Sequence, residues 1–220
     1  TGAPQGQVIG MKHHQQNGFT LIELLIVIGI IGTLAAVLLP RILDTDHAAK
    51  QTETEATMLQ LYDACKNFNR VEGYYPTDDL RYLKKGANPG WKTDNGQNTG
   101  IESLLVMVSQ SKKGGTDLGA LRDKLTNTDE DQHGAPIPLL DDMTARMEIA
   151  DGWGTPMAYF SKLNIGKTQL MVPAVGEPPV QVKAKKRADG SYYGGKKFQI
   201  LSAGKDLTFG TDDDIVWPSN

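Results

Sequence analysis

Two places in the chain carry residues whose types and spacing could do chemistry. Near the C-terminus, residues 202–215 read Ser202-Ala203-Gly204-Lys205-Asp206-Leu207-Thr208-Phe209-Gly210-Thr211-Asp212-Asp213-Asp214-Ile215. Asp206, Asp212, Asp213 and Asp214 crowd together among glycines that permit a tight chain reversal. Unpaired, they repel. On spacing alone they read as an acidic surface turn. The chemical alternative is a hard cation, and Ca2+ suits it, taking six to eight oxygens at about 2.3–2.6 Å in flexible geometry. Mg2+ is less suited to such a cage, and no EF-hand pattern is present. The second place is Glu23, an isolated carboxylate inside an apolar run. Ionisable groups are costly there and need a counter-charge or a route to the headgroups.

The elements that must position these groups follow from the patterning. From Phe19 to Leu39 the chain is apolar except for Thr20, Glu23, Thr33 and small glycines, and Pro40 closes the run. As a helix it is roughly 30 Å long, enough to cross a bilayer core. The residues before it are polar. Met11 reads as the translational start, and residues 1–18 read as a leader in which His13 and His14 are ordinary polar residues. The apolar run is not followed by a small-x-small cleavage site, so it is not an ordinary secretory signal. Gly29, Gly32 and Pro40 are the weak points of the helix.

Beyond Arg41 the pattern becomes amphipathic. Met58, Leu61, Tyr62, Cys65 and Phe68 share one helical face. Cys65, the single cysteine, falls on it as a small buried hydrophobe, so no disulfide forms within the chain. Gly73 stops the helix, and the segment from Asp78 to Gly100 reads as a loop. A short apolar helix is expected over Gly100–Val108 and another over Asp117–Leu125, with a solvated acidic turn over Thr126–Gly134. Strands are expected at Met157–Phe160, Gln169–Val172, Val180–Val182 and Phe198–Leu201. The basic run Lys183–Arg187 reads as a solvated hairpin. A net charge of −3 does not indicate bulk attraction to nucleic acid. No nucleophile pattern, phosphate loop or His-Cys metal spacing is present, so catalysis is not expected.

The run Gly18-Phe19-Thr20-Leu21-Ile22-Glu23 and its apolar continuation resemble the N-terminus of the prepilin family, which includes type IV pilins and the pseudopilins of type II secretion systems. The resemblance extends to Gly73-x-Tyr75-Pro76-Thr77, to Asp151-Gly152-Trp153-Gly154-Thr155-Pro156, where Gly152 stands in place of the usual proline, and to the acidic tail. It is closest to the major pseudopilin.

The resemblance implies an α+β fold, with a long N-terminal helix over 19–70, membrane-spanning over 19–39, packed on a small antiparallel sheet domain over 71–220. It implies cleavage after Gly18 by a prepilin peptidase, methylation of the Phe19 amine, and pairing of Glu23 with that amine on a neighbouring subunit. It also implies a calcium site in the tail, with Asp206, Asp213 and Asp214 giving side-chain oxygens and Ala203, Thr208 and Thr211 giving carbonyls. Leu207 departs from the glycine usual there. The implied partners are copies of the same chain, minor pseudopilins, an inner-membrane assembly platform and the membrane. The implied location is the bacterial inner membrane and then a periplasmic fibre. The absence of a disulfide favours the pseudopilin. The long region 78–149 keeps a surface type IV pilin as the rival. A membrane-tethered hydrolase or binding module using the acidic loop is the alternative of another class.

Overall fold

A computed structural model describes Gly2 and residues 19–83, 87–110, 119–132 and 144–219. Met11, His13, His14, Gly18, Lys84–Gly86, Asp117 and His133 lie outside the described residues. The chain divides into two compact units, Thr1–Thr45 and Asp46–Asn220.

Helix α1 (Leu21–Glu72) has residues in both units, and its helical assignment runs through Pro40. In the first unit, Leu21–Leu39 has a mean hydropathy of 2.7 and none of it is buried. By length and composition this is the one helix, among the described residues, that could cross a membrane.

The second unit is α+β. The part of α1 within it buries Met58, Leu61, Ala64, Cys65 and Phe68 and half-buries Tyr62, the stripe that the sequence spacing predicts. Burial pushes the Cys65 thiol well above its ordinary value, so it packs as an inert hydrophobe. Gly73 ends the helix with positive φ, its amide bonding Asn69 O at 2.8 Å. Three 3-10 turns, Leu80–Tyr82, Pro89–Lys92 and Gly119–Lys124, punctuate the region that follows. Helix α2 (Thr99–Ser109) lies between the second and third of them, buried on nearly every residue. A two-stranded pair joins β1 (Leu125–Thr126) to β2 (Glu148–Ile149).

The main sheet has three antiparallel strands in the order β3 (Ala158–Ser161), β6 (Phe198–Ser202), β7 (Ile215–Trp217). A separate hairpin pairs β4 (Thr168–Met171) with β5 (Val180–Lys183). Because strand side chains alternate, β3 and β6 feed two cores. Tyr159, Phe198 and Ile200 meet α1 and α2, whereas Ala158, Phe160 and Leu201 meet Met171 and Val182. Phe198 is the hub of the first core, with ring centroids 5.3–5.6 Å from Tyr75, Tyr62 and Tyr159.

The four strands expected from the sequence are present with ends shifted by a residue or so, and α2 lies where the first short apolar helix is expected. The second expected helix is a 3-10 turn followed by β1. The β1–β2 pair and β7 escape the alternation pattern because two- and three-residue strands carry no period. The basic run does enter a hairpin: Lys186 bridges to Tyr192, and the Arg187 guanidinium lies 4.6 Å from the Tyr193 ring centroid.

Gly152, where the family pattern has proline, is explained by α1. Its amide donates to Thr54 Oγ1 at 2.9 Å, and a Cβ there would run into the Lys50 carbonyl oxygen. Proline would lose that bond and collide with the helix. Gly152→Ala should therefore destabilise the folded chain by about 1–3 kcal/mol, as overpacking against backbone does, read from urea unfolding.

Candidate functional site

Helix α1 begins with a reciprocal cap. The backbone N–H and the hydroxyl of Thr20 both donate to Glu23 Oε2 at 2.8 Å, and the Glu23 amide donates back to Thr20 Oγ1 at 3.3 Å. Thr-x-x-Glu is a capping box: the threonine hydroxyl serves a free amide of the first turn while the glutamate satisfies the threonine amide. Glu23 is thus held at the exposed head of the apolar helix, with both described bonds on one oxygen. Phe19 beside it is 84% exposed. Sequence reasoning missed that this acid's partner in the fold is its own helix terminus, although Thr-x-x-Glu was the signal that could have shown it.

The tail loop is built by close approach and unusual backbone. Gly204 has φ +68, and a Cβ there would strike the Asp213 carbonyl oxygen. Leu207, in place of glycine, sits in the left-handed region at φ +59. Ser202 anchors the loop's start: its hydroxyl donates to Asp151 Oδ2 at 2.5 Å and accepts from Gly204 N at 3.1 Å.

The loop's carboxylates are turned inward on its own amides. Asp213 accepts from Asp206 N at 2.9 Å and from the Thr211 hydroxyl at 2.7 Å. Asp206 accepts from Thr208 N at 2.8 Å, and Asp214 from Gly210 N at 2.9 Å. Asp212 is exposed. Asp214 is buried; burial raises its carboxyl above the ordinary value, and its Oδ1 lacks a hydrogen-bond partner. The loop therefore gathers Asp206, Asp213, Asp214 and Thr211, but the three carboxylates do not draw together around one point.

Lys185 was not foreseen as part of this site. Its ammonium, two residues beyond β5, donates to the carbonyls of Thr211 at 3.1 Å and Asp214 at 3.3 Å and lies 3.8 Å from Asp214 Oδ2. A cation from the chain itself thus stands against oxygens that the sequence reading assigned to a metal. A basic run beside aromatics gave no hint of this, because the pairing is made only in three dimensions.

A second acidic group lies in the region between α2 and β2, where a solvated acidic turn over Thr126–Gly134 is expected from the sequence. Arg146 is fully buried. Its guanidinium donates to the carbonyls of Trp91 and Thr93, and Nε lies 3.7 Å from both Glu102 Oε2 and Asp131 Oδ2. Glu102 and Glu148 are also fully buried. Burial pushes Glu148 up to about 8 and Asp131 to about 6, and raises Glu102 well above the usual carboxylate range.

One comparison falls on the N-terminal site. A family profile described as Prokaryotic N-terminal methylation motif matches residues 13–39. The Type IV major pilin protein PilA of Myxococcus xanthus is 44% identical over 54 residues, 24% of each chain. A Fimbrial protein of Neisseria meningitidis serogroup B is 40% identical over 87 residues, 40% of this chain and 44% of that one. Type II secretion system core protein G of Vibrio cholerae is 32% identical over 81 residues, 36% of this chain and 56% of that one. The chain thus matches between about a quarter and just over half of the length of these relatives. No solved structure gives a significant match.

A methylation-motif helix start, an exposed apolar helix and a small α+β region together support the pilin and pseudopilin class for this chain. The relatives it matches carry both kinds of name, type IV pilin and type II secretion system core protein.

Proposed function

We propose that this chain is the structural subunit of a type II secretion pseudopilus. It is cleaved after Gly18, methylated at Phe19, drawn from the inner membrane and stacked through the N-terminal helix into a periplasmic fibre. The observation that carries this reading is the head of α1: a capped Glu23 on a helix whose entire apolar length, Leu21–Leu39, is exposed. A surface of that size in a water-soluble monomer would aggregate, so lipid first and sister helices later are its natural cover. The partners are further copies, minor pseudopilins, the assembly platform and the prepilin peptidase. The test is the N-terminal peptide of the protein recovered from membranes. It should begin at N-methylated Phe19, and an uncleaved, unmethylated terminus would overturn the reading.

The lone cysteine and the tail favour the pseudopilin over a surface pilin. We further propose that the tail binds Ca2+ through Asp206, Asp213 and Asp214 and the carbonyls of Ala203, Thr208 and Thr211. Two features support this: the all-oxygen donor set, and the buried Asp214 Oδ1 without a partner. Binding requires Asp206 and Asp213 to turn from their amides toward Asp214, and Lys185 to withdraw from Thr211. Calcium at a hundredfold excess over its dissociation constant should stabilise the fold by about 2.7 kcal/mol. Denaturation midpoints with and without calcium should show that gain in the wild type and a smaller one in Asp213→Asn. Equal gains would remove the tail from the account.

A further inference from the structure

The region between α2 and β2 holds a cluster of carboxylates that neither the anchor nor the tail uses. Glu102 on α2, Asp129 in the loop after β1 and Glu148 on β2 each bring one carboxylate oxygen within 4.8 Å of the other two. A shell of oxygens about 2.4 Å from a central ion spans the same diameter. Crowded acids alone would not make a site, but Glu102 is fully buried and neither of its oxygens has a hydrogen-bond partner. A buried carboxylate left this way is costly unless something else meets it. Arg146 does so incompletely: it stands 3.7 Å off, without a hydrogen bond from Nε, and on the side shared with Asp131.

The surroundings look prepared rather than accidental. Glu148 is held by two donors, Asn98 Nδ2 at 2.9 Å and Thr128 N at 3.2 Å. Asn98 is fixed in turn, its Oδ1 accepting from Val172 N at 2.9 Å and its Nδ2 also reaching Thr128 Oγ1 at 2.9 Å. Asn98 adopts left-handed backbone, φ 49, at the start of α2. Asn95 Nδ2 holds Asp129 Oδ2 at 3.1 Å. Outer hydrogen bonds of this kind aim carboxylates at a metal and leave their remaining lone pairs free.

We propose that Glu102, Asp129 and Glu148 bind one hard divalent cation, calcium before others, on the side of Glu102 away from Arg146. The donor set is oxygen only, with no histidine or cysteine, which disfavours zinc and copper. Three carboxylates make an anionic cage that Ca2+ completes with water or nearby hydroxyls. The ion would fasten α2, the loop after β1 and β2 to one another. The site is separate in sequence and in fold from the C-terminal loop.

Calcium titration of the full chain in detergent, by equilibrium dialysis after exhaustive chelation, tests this. Wild type and the tail variant Asp213→Asn should both bind one equivalent that Asp129→Ala does not. Asp129 is only half-buried, so its variant should keep the folded near-UV signal. Glu148→Gln, checked the same way, should also lose the equivalent. Calcium binding by Asp129→Ala equal to wild type would overturn the proposal, as would loss of all binding in Asp213→Asn. Failure of the tail site shows instead as an unchanged equivalent count in Asp213→Asn.

Discussion

Glu23→Ala should abolish fibre assembly while leaving cleavage at the leader intact. The structure sharpens this expectation, because Glu23 has two separable roles. One is local: it closes the capping box with Thr20. Losing a cap costs about 1 kcal/mol, which a long apolar helix tolerates. The other is proposed: its charge meets the freed Phe19 amine of a neighbour. Removing one member of a charge pair desolvated between subunits costs about 2 kcal/mol or more, beyond tenfold in association.

Two further variants separate these roles. Thr20→Ala removes the cap and keeps the charge, so it should still assemble. Glu23→Gln keeps a capping side chain and loses the charge, so it should fail as Glu23→Ala does. Sedimentable fibre recovered after shearing is the measurement. Assembly by Glu23→Gln at wild-type level would make the residue a cap and nothing more.

Arg146→Met should destabilise the second unit by about 3–5 kcal/mol near pH 8, as breaking a buried ion pair does. It removes the buried cation facing Glu102 and Asp131, together with the hydrogen bonds that Arg146 donates to the Trp91 and Thr93 carbonyls. The cost should depend on pH. An acid whose folded pKa is raised gives stability that is full below its unfolded value and is lost as pH rises through the folded one. For Asp131, which faces Arg146, that window runs from 3.8 to about 6, and Glu102, which also faces it, shifts in the same direction. Without Arg146 the carboxylates have less to oppose their repulsion, so the deficit should widen across the window. Urea midpoints at pH 5 and pH 8, in chelator, should show the larger gap at pH 8. Adding Glu102→Gln should recover part of it, since the two changes share one interaction. A gap independent of pH would mean that lost packing, not lost charge, sets the cost.

Much of this was legible in the residues. The apolar run, the Met58–Phe68 stripe and four of the strands follow from periodicity, because burial on one face imposes a repeat of 3.6 or 2 on the sequence. The acidic tail was legible as a loop, since glycines and aspartates mark chain reversals whatever surrounds them. The role of Gly152 was not. Its absent side chain has meaning only because the Lys50 turn of α1 passes there. Lys185 likewise read as one charge in a solvated run, and the structure carries it to Thr211 and Asp214.

The sequence by itself determined the apolar N-terminal helix, the position of the one acid in its apolar run and the likeness to pilins and pseudopilins. These rest on local order along one helix, where neighbours in sequence are neighbours in space. Only the tertiary structure decided what the acids of the middle region face. Glu102, the pair Asp129 and Asp131, and the pair Arg146 and Glu148 come from three separate stretches of the chain and have no common pattern until α2, β1 and β2 fold against one another. Burial then turns ordinary carboxylates into charges that must be met.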